Sequence, residues 1–312
     1  MEKYSPYRTF TKDEWAKLRL NTPMTLTEAE VKELRGVNET ISIEEVSNVY
    51  LPLTRLINLY ITGSQQLHSV SDIFFGKTTK KVPFIIGLAG SVAVGKSTAA
   101  RIIKALLSKW PNHPKVEIIT TDGYLYPNRV LEQRDLMNRK GFPESYNTKA
   151  LIDTLIQLKS GAKKVQVPVY SHLYYDIIPN EHYVLKQPDI VIVEGINVLQ
   201  PARMQKKTLP SVFVSDFFDL SIYVDATEED LLRWYVDRFQ KLKKTAFNNP
   251  ESYFNRYASL NEEEAEAKAT EIWNTINKVN LVENIRPTRN RADIILHKEE
   301  DHIITKVKLR KI

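Results

Sequence analysis

Residues 83–98 read PFIIGLAGSVAVGKST, and no other stretch limits the possible folds as strongly. Phe84-Ile85-Ile86-Gly87-Leu88-Ala89 is a short apolar run of the kind that forms a buried strand. Gly90-Ser91-Val92-Ala93-Val94-Gly95-Lys96-Ser97 then matches G-x-x-x-x-G-K-[ST] in full, and Thr98 follows. Ala99, Ile102, Ile103, Leu106 and Leu107 recur at i, i+3, i+4, i+7 and i+8, which predicts a helix. A strand, a glycine loop and a helix in that order are the setting of a phosphate-binding loop. Glycines at 90 and 95 let the backbone turn tightly and approach a polyphosphate without a Cβ in the way. The loop N–H groups and the first helical turn face the anion. Lys96 can then reach the β- and γ-phosphates, and the Ser97 hydroxyl can ligate Mg²⁺.

The rest of the chain supplies an α/β fold around this loop. Residues 116–123 read as a second strand ending in the carboxylate of Asp122, and residues 189–195 form an apolar strand ending at Glu194. Leu220–Asp225 is a further strand, followed by a helix from about Thr227 to Lys241. Asn147 is placed to cap a helix that Gly161 stops, and residues 165–172 read as extended. Residues 127–145, rich in Arg, Lys and Pro, are long for a loop, hence either partly helical or functional. Asn249-Pro250 predicts the start of a helical stretch, Glu262–Val282 a long helix, and residues 292–296 and 303–309 terminal strands. Strands alternating with helices predict a P-loop NTPase-type, three-layer fold: a mostly parallel sheet with helices on both faces. Residues 1–80 read as an N-terminal helical extension packed on the core. Thr25-x-x-Glu28 and Thr27-x-x-Glu30 are overlapping capping boxes, Ser42-x-x-Glu45 opens a second helix, and Pro52 opens a third. Residues 81–312 form the kinase-like domain, and the whole is expected to be a single compact domain.

A net charge of +6 favours anionic ligands, nucleotide phosphate among them. The absence of cysteine excludes disulfides and thiolate chemistry. The first residues lack the apolar stretch of a signal peptide, and no apolar run approaches membrane-spanning length, so a cytoplasmic location is expected. No aromatic-interleaved basic tract grips single strands, so neither nucleic acid nor membrane is an expected partner. A guanine-reading N-K-x-D motif is missing, since Asn277-Lys278 continues as Val279-Asn280.

Asp122 and Glu194 follow apolar strands at their C-terminal ends, the edge where ligands bind in such sheets. Phosphoryl transfer to a hydroxyl needs a base for the proton and an acid for the metal, and these two carboxylates suit those roles. In PVYSHLYYD, Tyr170 and His172 share one face of an extended segment, with Tyr175 close by, either as a wall for a small polar substrate or as ordinary aromatic packing. Tyr235 and Arg238 are neighbours on one helix face, and Asn277 is a polar amide in an apolar stripe that must find a partner.

GSVAVGKST, ITTDGYLYPN, KGFPESYN, PVYSHLYYD, VIVEGINVLQ, VFVSDFFD, SIYVDA, WYVDRF and NIRPTR occur in this order, with YLPLTRLINLY and MTLTEAEVKELRGVNE before them. Together they closely resemble bacterial type I pantothenate kinase over almost the whole chain. The resemblance implies an enzyme that phosphorylates pantothenate with ATP and Mg²⁺, the first step of coenzyme A biosynthesis. It implies a cytoplasmic homodimer that coenzyme A inhibits by competing with ATP. Carried over by motif position, Asp122 is the base, Lys96 and Arg238 act on the transferring phosphoryl group, and Ser97 and Glu194 serve the metal. Tyr170, His172, Tyr175, Tyr235, Arg238 and Asn277 match positions lining the pantothenate and phosphate pocket. Residues 90–98 match the nucleotide loop; Arg101 and Lys96 match the site of coenzyme A phosphate; Asn38, Lys298 and His302 match adenine-side positions. Leu242 stands where some members carry an aromatic. Sister readings within the same fold are uridine kinase and phosphoribulokinase.

Overall fold

The computed structural model describes residues 5–37, 39, 41–78, 80–110, 112, 115–201 and 212–311. Strand β2, Phe84–Gly90, is buried along its whole length and lies in the middle of a seven-stranded sheet. One side of β2 pairs in parallel with β6 (Ile190–Glu194), which in turn pairs in parallel with β3 (Val116–Thr120). Its other side pairs in parallel with β7 (Leu220–Asp225), followed by β8 (Ile294–Lys298), also parallel. Strand β9 (Ile304–Arg310) runs antiparallel to β8, and β1 (Tyr7–Thr11) antiparallel to β9. The apolar runs of β2 and β6 are those of strands covered on both faces. From β2 the chain crosses to β3 on one side; after β6 it passes to β7 on the other. The phosphate loop therefore leaves the sheet where the strand order reverses, which is where an open α/β sheet forms its ligand crevice.

The helix after the loop, Lys96–Leu107, buries Ala99, Ile102, Ile103, Leu106 and Leu107, the predicted stripe. Asn147 caps Thr148–Lys159 by accepting from Ala150 N, and Gly161 follows with a left-handed φ of 68°. Residues 127–145 are partly helical: Asn128–Gln133 and two short 3₁₀ turns. A separate antiparallel hairpin of β4 (Val165–Ser171) and β5 (Asp176–Leu185) carries the PVYSHLYYD segment.

Several expectations need correction. The first 80 residues are not all helical, because β1 extends the main sheet, tied there by Tyr7, whose hydroxyl donates to Ala292 O at 2.6 Å. Of the two capping boxes only Thr27/Glu30 forms; the hydroxyl of Thr27 accepts from Glu30 N and the Glu30 carboxylate accepts from Thr27 N. Pro52 lies in the first turn of the α-helix Leu51–Phe75, as expected, but that helix is not separate from the one before it. Residues 43–75 are continuously helical, and a π turn, Val46–Tyr50, precedes the proline. The wider turn relieves the clash that a proline ring makes with the preceding turn of an α-helix. After Asn249-Pro250 there are only turns and a 3₁₀ segment, Asn255–Tyr257. There the Asn249 side chain accepts from Glu251 N at 3.0 Å, an Asx turn that competes with helix. The long helix begins as predicted at Glu262 but contains π turns at Trp273–Asn277 and Leu281–Ile285.

The helix Leu51–Phe75 is buried at its first half through Leu51, Leu53, Ile57 and Ile61. Its second half projects, with Leu67, Val70, Ile73, Phe74 and Phe75 between 57% and 84% exposed.

Candidate active site

Between the end of the sheet, the β4–β5 hairpin and the helices Glu228–Lys243 and Glu262–Ile272 lies a cavity of about 470 Å³. Val92, Ala93, Lys96 and Ser97 of the phosphate loop line it, as do Asp122 and Glu194. The sheet accounts for this meeting. Parallel pairing of β3 with β6 and of β6 with β2 brings all three C-terminal ends to one edge. Asp122 sits in the 3₁₀ turn just beyond β3. Gly195, just beyond β6, is pressed against that turn, since an added Cβ would lie 1.9 Å from Thr121 Oγ1.

Lys96 is buried and donates from Nζ to Ser91 O at 2.7 Å, so its ammonium is folded over the loop. Burial pulls its pKa down, while the carboxylates of Glu194 and Asp122 push it up. Glu194 is buried too. Desolvation raises its pKa, Lys96 opposes this, and its Oε2 accepts from the Ser97 hydroxyl at 3.1 Å. A buried carboxylate joined to a loop hydroxyl is an oxygen-donor set suited to Mg²⁺, an ion bound largely through substrate phosphates and a carboxylate or two. Among the described residues no group of three or more His, Cys, Asp or Glu forms a separate metal site.

The opposite wall is aromatic. Tyr170 meets His172 edge-on with ring centres 5.2 Å apart, and Tyr175 packs on Tyr253 and Phe254. Burial raises the phenol pKa of both Tyr170 and Tyr175, keeping them neutral hydrogen-bonding groups. Tyr235, Arg238 and Asn277 close the cavity from the two helices, and a hydrogen bond from Asn277 favours ionisation of Tyr235 against the larger effect of burial. Asn277 ends a π turn, a feature frequent at functional sites. Leu242 lies in the same wall with Phe247 and Phe254.

Not every expected site residue reaches this cavity. Arg101 points away from it, donating to Leu34 O and to Thr98 Oγ1, both at 3.0 Å. Lys298 is fully buried beside Glu39. His302 stacks on Trp234, centroids 3.9 Å apart, and burial brings its pKa down to about 4. Asn38 lies outside the described residues.

Lys140 and Tyr146 are among the cavity residues that the sequence did not single out. Lys140 is buried with its ammonium 3.8 Å from the Tyr175 ring centre; it donates to Asn128 Oδ1 at 2.6 Å and to the Tyr175 carbonyl. Burial brings its pKa down to about 8. Tyr146 lines the same cavity. The KGFPESYN segment contains both, but nothing in its spacing marks which of its polar groups turns inward.

The Phosphoribulokinase / Uridine kinase family pattern matches residues 85–242. A pantothenate kinase of Brevibacillus brevis is 56% identical over 99% of this chain and 97% of its own length. One from Parvibaculum lavamentivorans is 55% identical over 99% and 94%. Among solved structures, D-glycerate 3-kinase of Cryptococcus neoformans aligns with a TM-score of 0.57 at 13% identity, over 82% of this chain and 98% of that one, a likeness of fold. With a phosphate loop and two strand-end acids on one cavity, and relatives above half identity along nearly the full length, the chain belongs to the pantothenate kinase family of P-loop kinases.

Proposed function

We propose that the protein transfers the γ-phosphate of ATP to the primary hydroxyl of pantothenate, giving 4′-phosphopantothenate for coenzyme A biosynthesis. The observation that carries this reading is that Asp122 and Lys96 line one cavity of about 470 Å³. In the proposed mechanism Asp122 accepts the hydroxyl proton as the alkoxide oxygen bonds to the γ-phosphorus and the bond to the ADP oxygen breaks. Lys96 and Arg238 stabilise the charge on the transferring group. Ser97 and Glu194 would hold Mg²⁺, which supplies further neutralisation of the phosphates. Tyr170, His172, Tyr175, Tyr235 and Asn277 hold pantothenate, and the loop 90–98 holds the triphosphate. Asn38 and His302 are assigned to the adenine side, where Lys298, fully buried beside Glu39, acts only through its neighbours, and Arg101 with Lys96 to the phosphate of coenzyme A, which competes with ATP. Coupled ADP release with pantothenate, uridine and ribulose 5-phosphate tests the substrate. Turnover with pantothenate alone is expected, and a preference for either of the others would replace this reading with a sister kinase.

The extension and the kinase core are taken to act as one unit, supported by the β1–β9 pairing, and the enzyme as cytoplasmic; no described helix is long and apolar enough to cross a membrane. The assembly is taken as a homodimer. Its support is the projecting half of Leu51–Phe75, where Leu67, Val70 and Phe74 make an exposed apolar stripe. Such a stripe is self-complementary across a two-fold axis. The unaltered protein is expected to sediment as a dimer, and Leu67→Lys combined with Phe74→Lys to give monomers in sedimentation velocity. Dimers in both would assign the contact elsewhere.

A further inference from the structure

Behind the phosphate loop, away from the cavity, three distant parts of the chain meet on a buried ion pair. Glu39 comes from the N-terminal extension and Lys298 from β8; their side chains are 6% and 0% exposed, with Oε2 and Nζ 3.5 Å apart. The other carboxylate oxygen of Glu39 accepts from Thr98 Oγ1 at 2.6 Å, in the first turn of the loop helix. Thr98 Oγ1 also accepts from Arg101, which in turn holds the Leu34 carbonyl. The pair rests directly on the loop. At Gly95, where φ is 91°, an added Cβ would lie 2.5 Å from Glu39 Oε2 and 2.6 Å from Lys298 Nζ.

A buried ion pair is a poor source of stability, because desolvation offsets most of the attraction. What such a pair does well is fix geometry, and here the fixed object is the turn that presents N–H groups to phosphate. Lys298 cancels the charge of Glu39, so the carboxylate can brace the loop without repelling the phosphates in front of it. We propose that Glu39 is a positioning residue for the nucleotide. Held between Lys298 and Thr98, its carboxylate sets the Gly95–Thr98 turn so that the loop amides converge on the triphosphate. The inference rests on the kinase reading given above.

The test compares the unaltered protein with Glu39→Met, which keeps the volume but neither charge nor acceptor. Binding of a non-hydrolysable ATP analogue is measured by calorimetry, with steady-state kinetics and melting temperature alongside. Glu39→Met is expected to weaken the analogue and raise KM for ATP about tenfold or more, while KM for pantothenate stays within about twofold, in keeping with the cost of small misplacements. A merely structural role would lower the fraction of active enzyme and leave both KM values alone. Should Glu39→Met not fold, Glu39→Gln, which gives up the charge and one of the two acceptor oxygens, is expected to raise KM for ATP severalfold. Unchanged or tighter nucleotide binding in the variant that folds overturns the inference. An unaltered protein that neither binds the analogue nor turns over overturns the kinase reading and this inference with it.

Discussion

Asp122→Ala is expected to lower turnover by roughly two or more decades, the usual cost of removing a general base, while ATP binding stays close to that of the unaltered enzyme. The separation of the two effects follows from the fold. Asp122 stands on the turn after β3, whereas the triphosphate is held by the loop after β2, with β6 between them. Removing the carboxylate leaves the loop, its lysine and Glu194 intact. Turnover by single-turnover kinetics and nucleotide affinity by calorimetry separate the two quantities. Near-normal turnover would take Asp122 out of the mechanism, and a matching loss of ATP affinity would make it a nucleotide ligand instead.

Lys96→Ala is expected to impair both steps, with kcat falling by about 10²–10³-fold, as when a donor to the developing charge is deleted. The lysine is a buried cation clasped to Ser91 O, and burial already disfavours its charge. Alanine removes a cation that is costly to bury but strips Glu194 of its main counter-charge, two opposed effects, so the melting temperature is expected to change little while activity collapses. Glu194 would lose its main counter-charge and its pKa would climb further. A carboxylate is lost to protonation as pH falls through its pKa, so the residual activity of Lys96→Ala should decline on the acid side at a higher pH than in the unaltered enzyme. An acid limb at the same pH in both would show that Lys96 and Glu194 are not coupled. A lowered melting temperature would make Lys96 a structural residue as well.

The parts of this architecture that were legible from sequence are those written in local code. The loop motif, the apolar runs of β2 and β6, and the stripe of the loop helix announce themselves within a dozen residues. The strand ends then bring Asp122 and Glu194 to one edge with no further information. What stayed hidden lacks a period. Strand β1, YRTFT, buries only its first and fourth residues, so it shows no alternation. Strand β5 carries a proline and is largely exposed, because its hairpin stands off the main sheet. Lys140 turns inward to Asn128 and to the carbonyl of Tyr175, whose left-handed φ of 53° is a conformation no composition rule foretells. Glu39 and Lys298 are 259 residues apart, and the partner of a buried charge at that separation is set by topology alone.

Gly195 carries a consequence for how this enzyme can vary. The Thr121 side chain occupies the space a methyl at Gly195 would need, so the turn after β3 packs directly on the backbone at the end of β6. The two acids therefore travel as one rigid piece, and domain motions that open the cavity must come from the hairpin and helices facing them. Substrate range can be retuned on that facing wall, but the spacing of the acids offers evolution no slack.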